Sequence, residues 1–177
     1  MSFEDNHNSG PDGAAASKSG NMFRPGQTAT KRLQTELMNL MTSPAPGVSA
    51  FPTVENMMHW NATIEGPEET PYAGLSLKLR FEFPGNYPMV PPTVLFRTPI
   101  YHPNVDFSGR ICLDILKDKW TAAYNTQTVL LSLQSLLGEP NNSSPLNGEA
   151  ADLWDKDPTL FKKKVLERHK DIEEDED

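Results

Sequence analysis

The chain has 177 residues, 16 prolines, one cysteine and a formal net charge of −8, which suits one domain with tails around a single core. A lone cysteine excludes an internal disulfide and fits a reducing compartment, cytoplasm or nucleus. The acidic balance argues against nucleic acid as a partner. No apolar run approaches the roughly 18 residues of a membrane span, and the N-terminus carries no charged-then-apolar signal pattern, so no membrane role is expected.

Residues 1–27 are rich in Gly, Ser, Ala, Asn and Asp and read as a flexible extension that cannot bury enough surface to offset its ordering entropy. The folded domain is expected over 28–170. Asp171, Glu173, Glu174, Asp175, Glu176 and Asp177 make 171–177 an acidic, solvated tail. Thr28 or Thr30 is expected to cap a first helix running to about Thr42. Leu33, Leu37, Leu40 and Met41 form its apolar stripe, with Lys31, Arg32, Gln34, Thr35 and Asn39 mostly off it. Ser43–Gly47, with two prolines, stops the helix. Met58–Glu65 alternates like a strand. Leu75, Leu77, Leu79, Phe81 and Phe83 share one face of the next, with Ser76, Lys78, Arg80 and Glu82 on the other. Three prolines within Tyr87–Pro92 make a rigid loop without ladder bonds, and an aromatic before proline permits a cis bond at Tyr87-Pro88. Thr93–Phe96 reads as a further strand. Short connections imply an antiparallel meander. Beyond a loop at Trp120–Tyr124, Asn125 is a cap for a helix over Thr126–Leu137, which Gly138-Glu139-Pro140 ends. A polar loop follows over 141–147, then a helix from about Ala150. Asp157-Pro158 reads as N-cap plus first helical proline, opening a last helix with Phe161, Val165, Leu166 and His169 on its apolar side. The order, helix, strands, three helices, is an α+β arrangement.

The chemistry concentrates around Cys112. A thiol is the best nucleophile among ordinary side chains, and part of it is thiolate near neutral pH. Alone, a cysteine among Ile111, Leu113 and Ile115 is more often a small buried hydrophobe. Asp106-Phe107-Ser108-Gly109 are turn-formers that bend the chain back toward it. His102-Pro103-Asn104 lies just upstream. The whole string, H-P-N-V-x-x-x-G-x-I-C-L-D-I-L, resembles the active-site signature of ubiquitin-conjugating enzymes, as does Y-P-x-x-P-P ahead of the third strand. The resemblance covers about residues 28–170.

That resemblance implies the ubiquitin-conjugating fold: an N-terminal helix, a four-stranded antiparallel meander sheet and three helices. It implies Cys112 as the nucleophile that carries ubiquitin as a thioester and passes it to a lysine. Asn104 would stabilise the oxyanion or brace the loop. His102 would be structural, against the alternative of a Cys-His pair, which needs hydrogen-bond reach. Asp114 and Ser144 would line the mouth where lysine arrives; many members have an aspartate where Ser144 stands. Lys31, Arg32, Met89, Ala122 and Ala123 would contact activating enzyme or ligase; many members have an aromatic at the Met89 position. Leu131 and Ser135 would face the carried ubiquitin, and Ser49 the back surface where a second ubiquitin binds in some members. No bound cofactor is implied, since ATP is used upstream by the activating enzyme, and no metal spacing stands out. The expected partners are ubiquitin, the activating enzyme and a RING-type ligase. Within the family, I-L-K-D-K-W and S-L-L-G-E-P-N-N-S-S-P-L look most like the cyclin-selective members. These imply the anaphase-promoting complex as ligase and mitotic cyclins as substrates bound for the proteasome. Alternatives are an enzyme of the same fold carrying another ubiquitin-like modifier and a non-catalytic ubiquitin-binding module. A cysteine hydrolase is a more distant third.

Overall fold

The computed structural model describes residues 27–173; residues 1–26 of the expected extension and residues 174–177 of the acidic tail lie outside them. Gln27, assigned to the extension on sequence grounds, already belongs to helix α1, Gln27–Thr42. Thr28 and Thr30 therefore lie inside the helix and do not cap it. Four strands follow: β1 Val48–Pro52, β2 His59–Glu65, β3 Ser76–Glu82 and β4 Thr93–Phe96. The chain closes with α2 Thr126–Gly138, α3 Gly148–Lys156 and α4 Pro158–Arg168.

The sheet is an antiparallel meander in the order β1-β2-β3-β4. Alternation fixes its faces. Trp60, Ala62 and Ile64 of β2 and Leu77, Leu79 and Phe81 of β3 point inward and are buried. Trp60 is paired with Phe81, and Phe81 in turn with Val94. Leu33 of α1, Val129, Leu130, Leu133 and Leu137 of α2, and Phe161 and Val165 of α4 complete one core. Burying a side chain of this size contributes about 1.5–3 kcal/mol. Helix α2 packs against β1 and β2, placing its C-terminal end under the cysteine segment.

Two stripe assignments change. Met41 is 67% exposed and Leu166 51% exposed, so the buried side of α1 turns instead through Ala29, Leu33 and Glu36. The caps do hold. Asn125 Oδ1 accepts from Thr128 N–H at 2.8 Å, and Asp157 Oδ1 from Leu160 N–H at 3.0 Å with Pro158 opening α4. The Tyr87-Pro88 peptide bond is cis.

Candidate active site

After β4 the chain turns through a buried run, Tyr101 to Val105, and doubles back. Asp106 Oδ1 accepts from the N–H groups of Ser108 and Arg110, both at 2.9 Å, an Asx-type turn. Gly109 completes it at φ +86°. A Cβ there would lie 2.1 Å from the Phe96 carbonyl oxygen, and the Phe96 N–H donates to the Gly109 carbonyl at 2.9 Å. Only glycine satisfies both the left-handed φ and this approach. The return is pinned by a bridge between Val105 and Ile111 and by the Cys112 N–H donating to the Asn104 carbonyl at 2.8 Å. Cys112 is a free thiol and only half-buried. A single 3-10 turn, Asp114–Leu116, follows. Asp114 is exposed, with Oδ1 accepting from the Ile115 N–H at 2.8 Å.

Each side chain of the His102-Pro103-Asn104 run is buried. The two nitrogens of His102 are both engaged: Nδ1 accepts from the Asn104 N–H at 2.9 Å, and Nε2 lies 2.7 Å from the Leu136 carbonyl of α2. That fixes a neutral tautomer with the proton on Nε2. Burial, set against the Leu136 hydrogen bond, lowers its pKa from 6.5 to about 4. Both ring nitrogens are thus engaged within the fold, and none is left to act as base toward Cys112.

Asn104 is equally committed. Its Nδ2 donates to the Asn141 carbonyl at 2.6 Å, and its Oδ1 accepts from the Asn141 N–H at 2.8 Å. One side chain thus completes both main-chain groups of a residue in the next loop. Pro103, with no donor of its own, accepts from the N–H groups of Leu146 at 2.8 Å and Asn147 at 3.0 Å. Loop 141–147 is therefore strapped to the cysteine segment, and Asn147 then caps α3 through the Ala150 N–H at 3.1 Å. Ser144 lies exposed on that loop. These are the bonds of a brace; one Nδ2 hydrogen of Asn104 remains beyond them.

The residues expected to meet activating enzyme or ligase gather at the α1 end. Met89 is 67% exposed, and Lys31, Ala122 and Ala123 are exposed. Arg32 differs from the others. Its guanidinium donates to the carbonyls of Ala122 at 3.0 Å and Tyr124 at 2.8 Å, pairs with Glu36 at 3.2 Å, and lies 5.9 Å from the centre of the Tyr87 ring. It holds the 120–124 loop in place, so its first task is internal. Trp120 Nε1 donates to the Pro88 carbonyl at 2.9 Å and ties the same loop to the proline-rich one.

At the centre of this cluster is a residue the sequence reading passed over. Glu36 is 4% exposed, and its carboxylate accepts from Tyr87 Oη at 2.6 Å, Thr126 N–H at 2.6 Å and Thr126 Oγ1 at 2.9 Å. It occupies the N-terminus of α2, where free amides and the helix dipole favour a negative charge. Burial, then the charge of Glu36, raises the Tyr87 pKa far above 10 and keeps that hydroxyl a donor. The one available signal was position: Glu36 falls three residues after Leu33, on the buried side.

Leu131 and Ser135 are both exposed on α2, and Ser49 is exposed on β1. No cluster of three or more His, Cys, Asp or Glu side chains among the described residues is arranged to hold a metal. Nor is any described helix long and apolar enough to cross a membrane.

The sequence from Arg32 to His169 matches the family profile described as ubiquitin-conjugating enzyme. It contains the cysteine hairpin, both straps and the Glu36 cluster. A curated relative is the ubiquitin-conjugating enzyme E2-20 kDa of Schizosaccharomyces pombe, 58% identical over 159 residues, which cover 89% of this chain and 90% of that protein. Fold, hairpin and sequence agree, and the chain belongs to the ubiquitin-conjugating enzyme family.

Proposed function

We propose that Cys112 accepts ubiquitin from the activating enzyme and passes it to substrate lysines. The observation that carries this reading is the half-buried free thiol, held by its own N–H at the end of a rigid hairpin inside the family segment. In the first step the Cys112 thiolate attacks the thioester carbonyl on the activating enzyme. A new C–S bond forms, and the activating enzyme's thiolate leaves. In the second, a neutral lysine amine attacks the Cys112 thioester. The tetrahedral oxyanion collapses, the Cys112 thiolate leaves, and the amine's proton passes to solvent. Asn104 acts mainly through the brace it provides to loop 141–147, with its remaining Nδ2 hydrogen as the candidate oxyanion donor. Removing one such donor typically costs on the order of 10²–10³ in rate. Asp114 and Ser144, both exposed, orient the incoming amine. Lys31, Met89, Ala122 and Ala123 form the docking end for activating enzyme and ligase, which Arg32 braces from within. Leu131 and Ser135 face the carried ubiquitin. The enzyme binds no cofactor, and ATP is used upstream.

The finer reading is that this enzyme works with the anaphase-promoting complex on mitotic cyclins, in cytoplasm and nucleus. It rests on the likeness of the 115–120 and 135–146 segments to cyclin-selective members.

A charging reaction tests the chemistry. With activating enzyme, ATP and ubiquitin, a ubiquitin-sized adduct forms that thiol reductant removes; Cys112→Ser gives an adduct that survives reductant. An adduct with another modifier and none with ubiquitin moves the chain to a sister pathway. Cyclin fragments, supplied with the anaphase-promoting ligase, test the finer reading; modification no faster than with an unrelated RING ligase counts against it.

A further inference from the structure

The outer face of the sheet carries a groove of about 580 Å³ that the cysteine chemistry does not use. Alternation puts the polar half of the strands there, including Thr63, Lys78 and Arg80, joined by Arg97 just past β4. Thr63 is in register with Lys78, Lys78 Nζ donates to Thr63 Oγ1 at 3.2 Å, and the Arg97 N–H donates to the Lys78 carbonyl at 2.8 Å. Lys78 and Arg97 are thus neighbours on the outer face, and Arg80, two residues along β3 from Lys78, pairs at its Nε with Glu82 at 3.3 Å. Glu55 is the one carboxylate residue that the strands and their turns add to the lining.

The remaining wall comes from beyond α4. Arg168 anchors the end of that helix by donating to the carbonyls of Ile100 at 3.4 Å and Phe107 at 3.1 Å. The chain then reaches the groove, where Ile172 is half-buried and Glu173 is exposed; both line it. In sequence, Glu173 is followed at once by Glu174, Asp175, Glu176 and Asp177.

We propose that the acidic segment Asp171–Asp177 docks in cis on this basic groove, covering the face on which Ser49 lies and competing with any other ligand for it. Ile172 is the apolar foot of the contact, and the carboxylates that follow oppose Lys78, Arg80 and Arg97. The tether from α4 is a few residues long, so the segment faces the groove at an effective concentration of order millimolar. Single exposed ion pairs are weak, but several acting together on a tethered segment give an occupancy that salt releases. The inference is independent of the charging chemistry at Cys112.

The test compares amide NMR spectra of the full chain with those of a full-length variant neutralised in the segment: Glu173→Gln, Glu174→Gln, Asp175→Asn, Glu176→Gln and Asp177→Asn. The expected result is amide shift changes larger than the linewidth at Ser49, Thr63, Lys78, Arg80 and Arg97, with inward-facing residues unmoved. At about 1 M salt, where the screening length falls to about 3 Å, the full-chain spectrum moves toward that of the variant. Identical outer-face shifts in the two proteins overturn the proposal, as do changes centred on another face. Changes that grow with protein concentration also overturn it, because they assign the groove to a second copy.

Discussion

Two buried polar clusters hold this enzyme together, and they are built in opposite ways. At the α1 end the hub is a carboxylate. Glu36 gathers α1, the proline-rich loop and the first turn of α2, with Arg32 as its counterion. At the cysteine end the hub is neutral. His102 and Asn104 gather the cysteine hairpin, the end of α2 and loop 141–147 through hydrogen bonds between uncharged groups. The difference follows from what each end must do. A charged hub is strong where its counterion and a helix N-terminus are fixed partners. A neutral support beside the proposed nucleophile adds no full charge to the site, leaving that field to oriented dipoles.

The charged cluster should break hardest. Glu36→Ala leaves Tyr87 Oη, the Thr126 N–H and Thr126 Oγ1 without their shared acceptor and Arg32 without its counterion. Removing a buried carboxylate from three buried donors and a partly exposed counterion costs about 4 kcal/mol. Denaturant unfolding should report that loss, with Glu36→Gln intermediate because it keeps one acceptor oxygen. A loss below about 1 kcal/mol, the scale of an ordinary net hydrogen bond, would show that Glu36 is not a hub.

The neutral cluster should instead be broken by acid. An unfolded His102 takes up its proton near 6.5, and the folded one near 4. Between those values the unfolded chain binds more protons, so stability falls as pH drops through the window; below about 4 this group adds no further slope. The full difference amounts to about 3 kcal/mol. Urea unfolding at steps between pH 7 and 4.5 checks it against His102→Gln, which removes the titrating ring. The difference in stability between wild type and variant should shrink as pH falls. A constant difference would contradict the neutral-hub account.

Much of the fold was legible because its signals are local. Asn125 and Asp157-Pro158 announce their helices from within one turn, and the five alternating apolar residues from Leu75 to Phe83 announce β3. Strand β1 was not located, since it is five residues long, contains Pro52 and buries only Ala50. Around the cysteine, the string from His102 to Ile115 put the hairpin in view, but it did not identify Asn141, the partner of Asn104 at 37 positions' remove. Glu36 and Arg32 were illegible for the same reason. A carboxylate and a cation on a surface helix read as solvated, and what buries them lies 51 to 92 positions away. Long-range polar pairing leaves no periodicity in the chain.

The smallest of these effects on stability decides the most about mechanism. Asn104→Ala removes two hydrogen bonds to Asn141 and should lower stability by about 2 kcal/mol. It should leave transfer of ubiquitin onto Cys112 nearly intact, since the Cys112 N–H bonds the backbone carbonyl of residue 104, not its side chain. Discharge to free lysine should slow. The cause is readable from hydrogen exchange at Asn141. If Asn104 is a brace, protection of the Asn141 amide falls in the variant, and Asn104→Asp, which keeps the acceptor for that N–H but turns an oxygen toward the Asn141 carbonyl, recovers only part of it. If the side chain acts chiefly on the oxyanion, Asn104→Asp recovers Asn141 protection while discharge stays slow. Because the observed geometry engages both ends of the amide with Asn141, the expected result is the first, with loss of protection and loss of discharge rate appearing together.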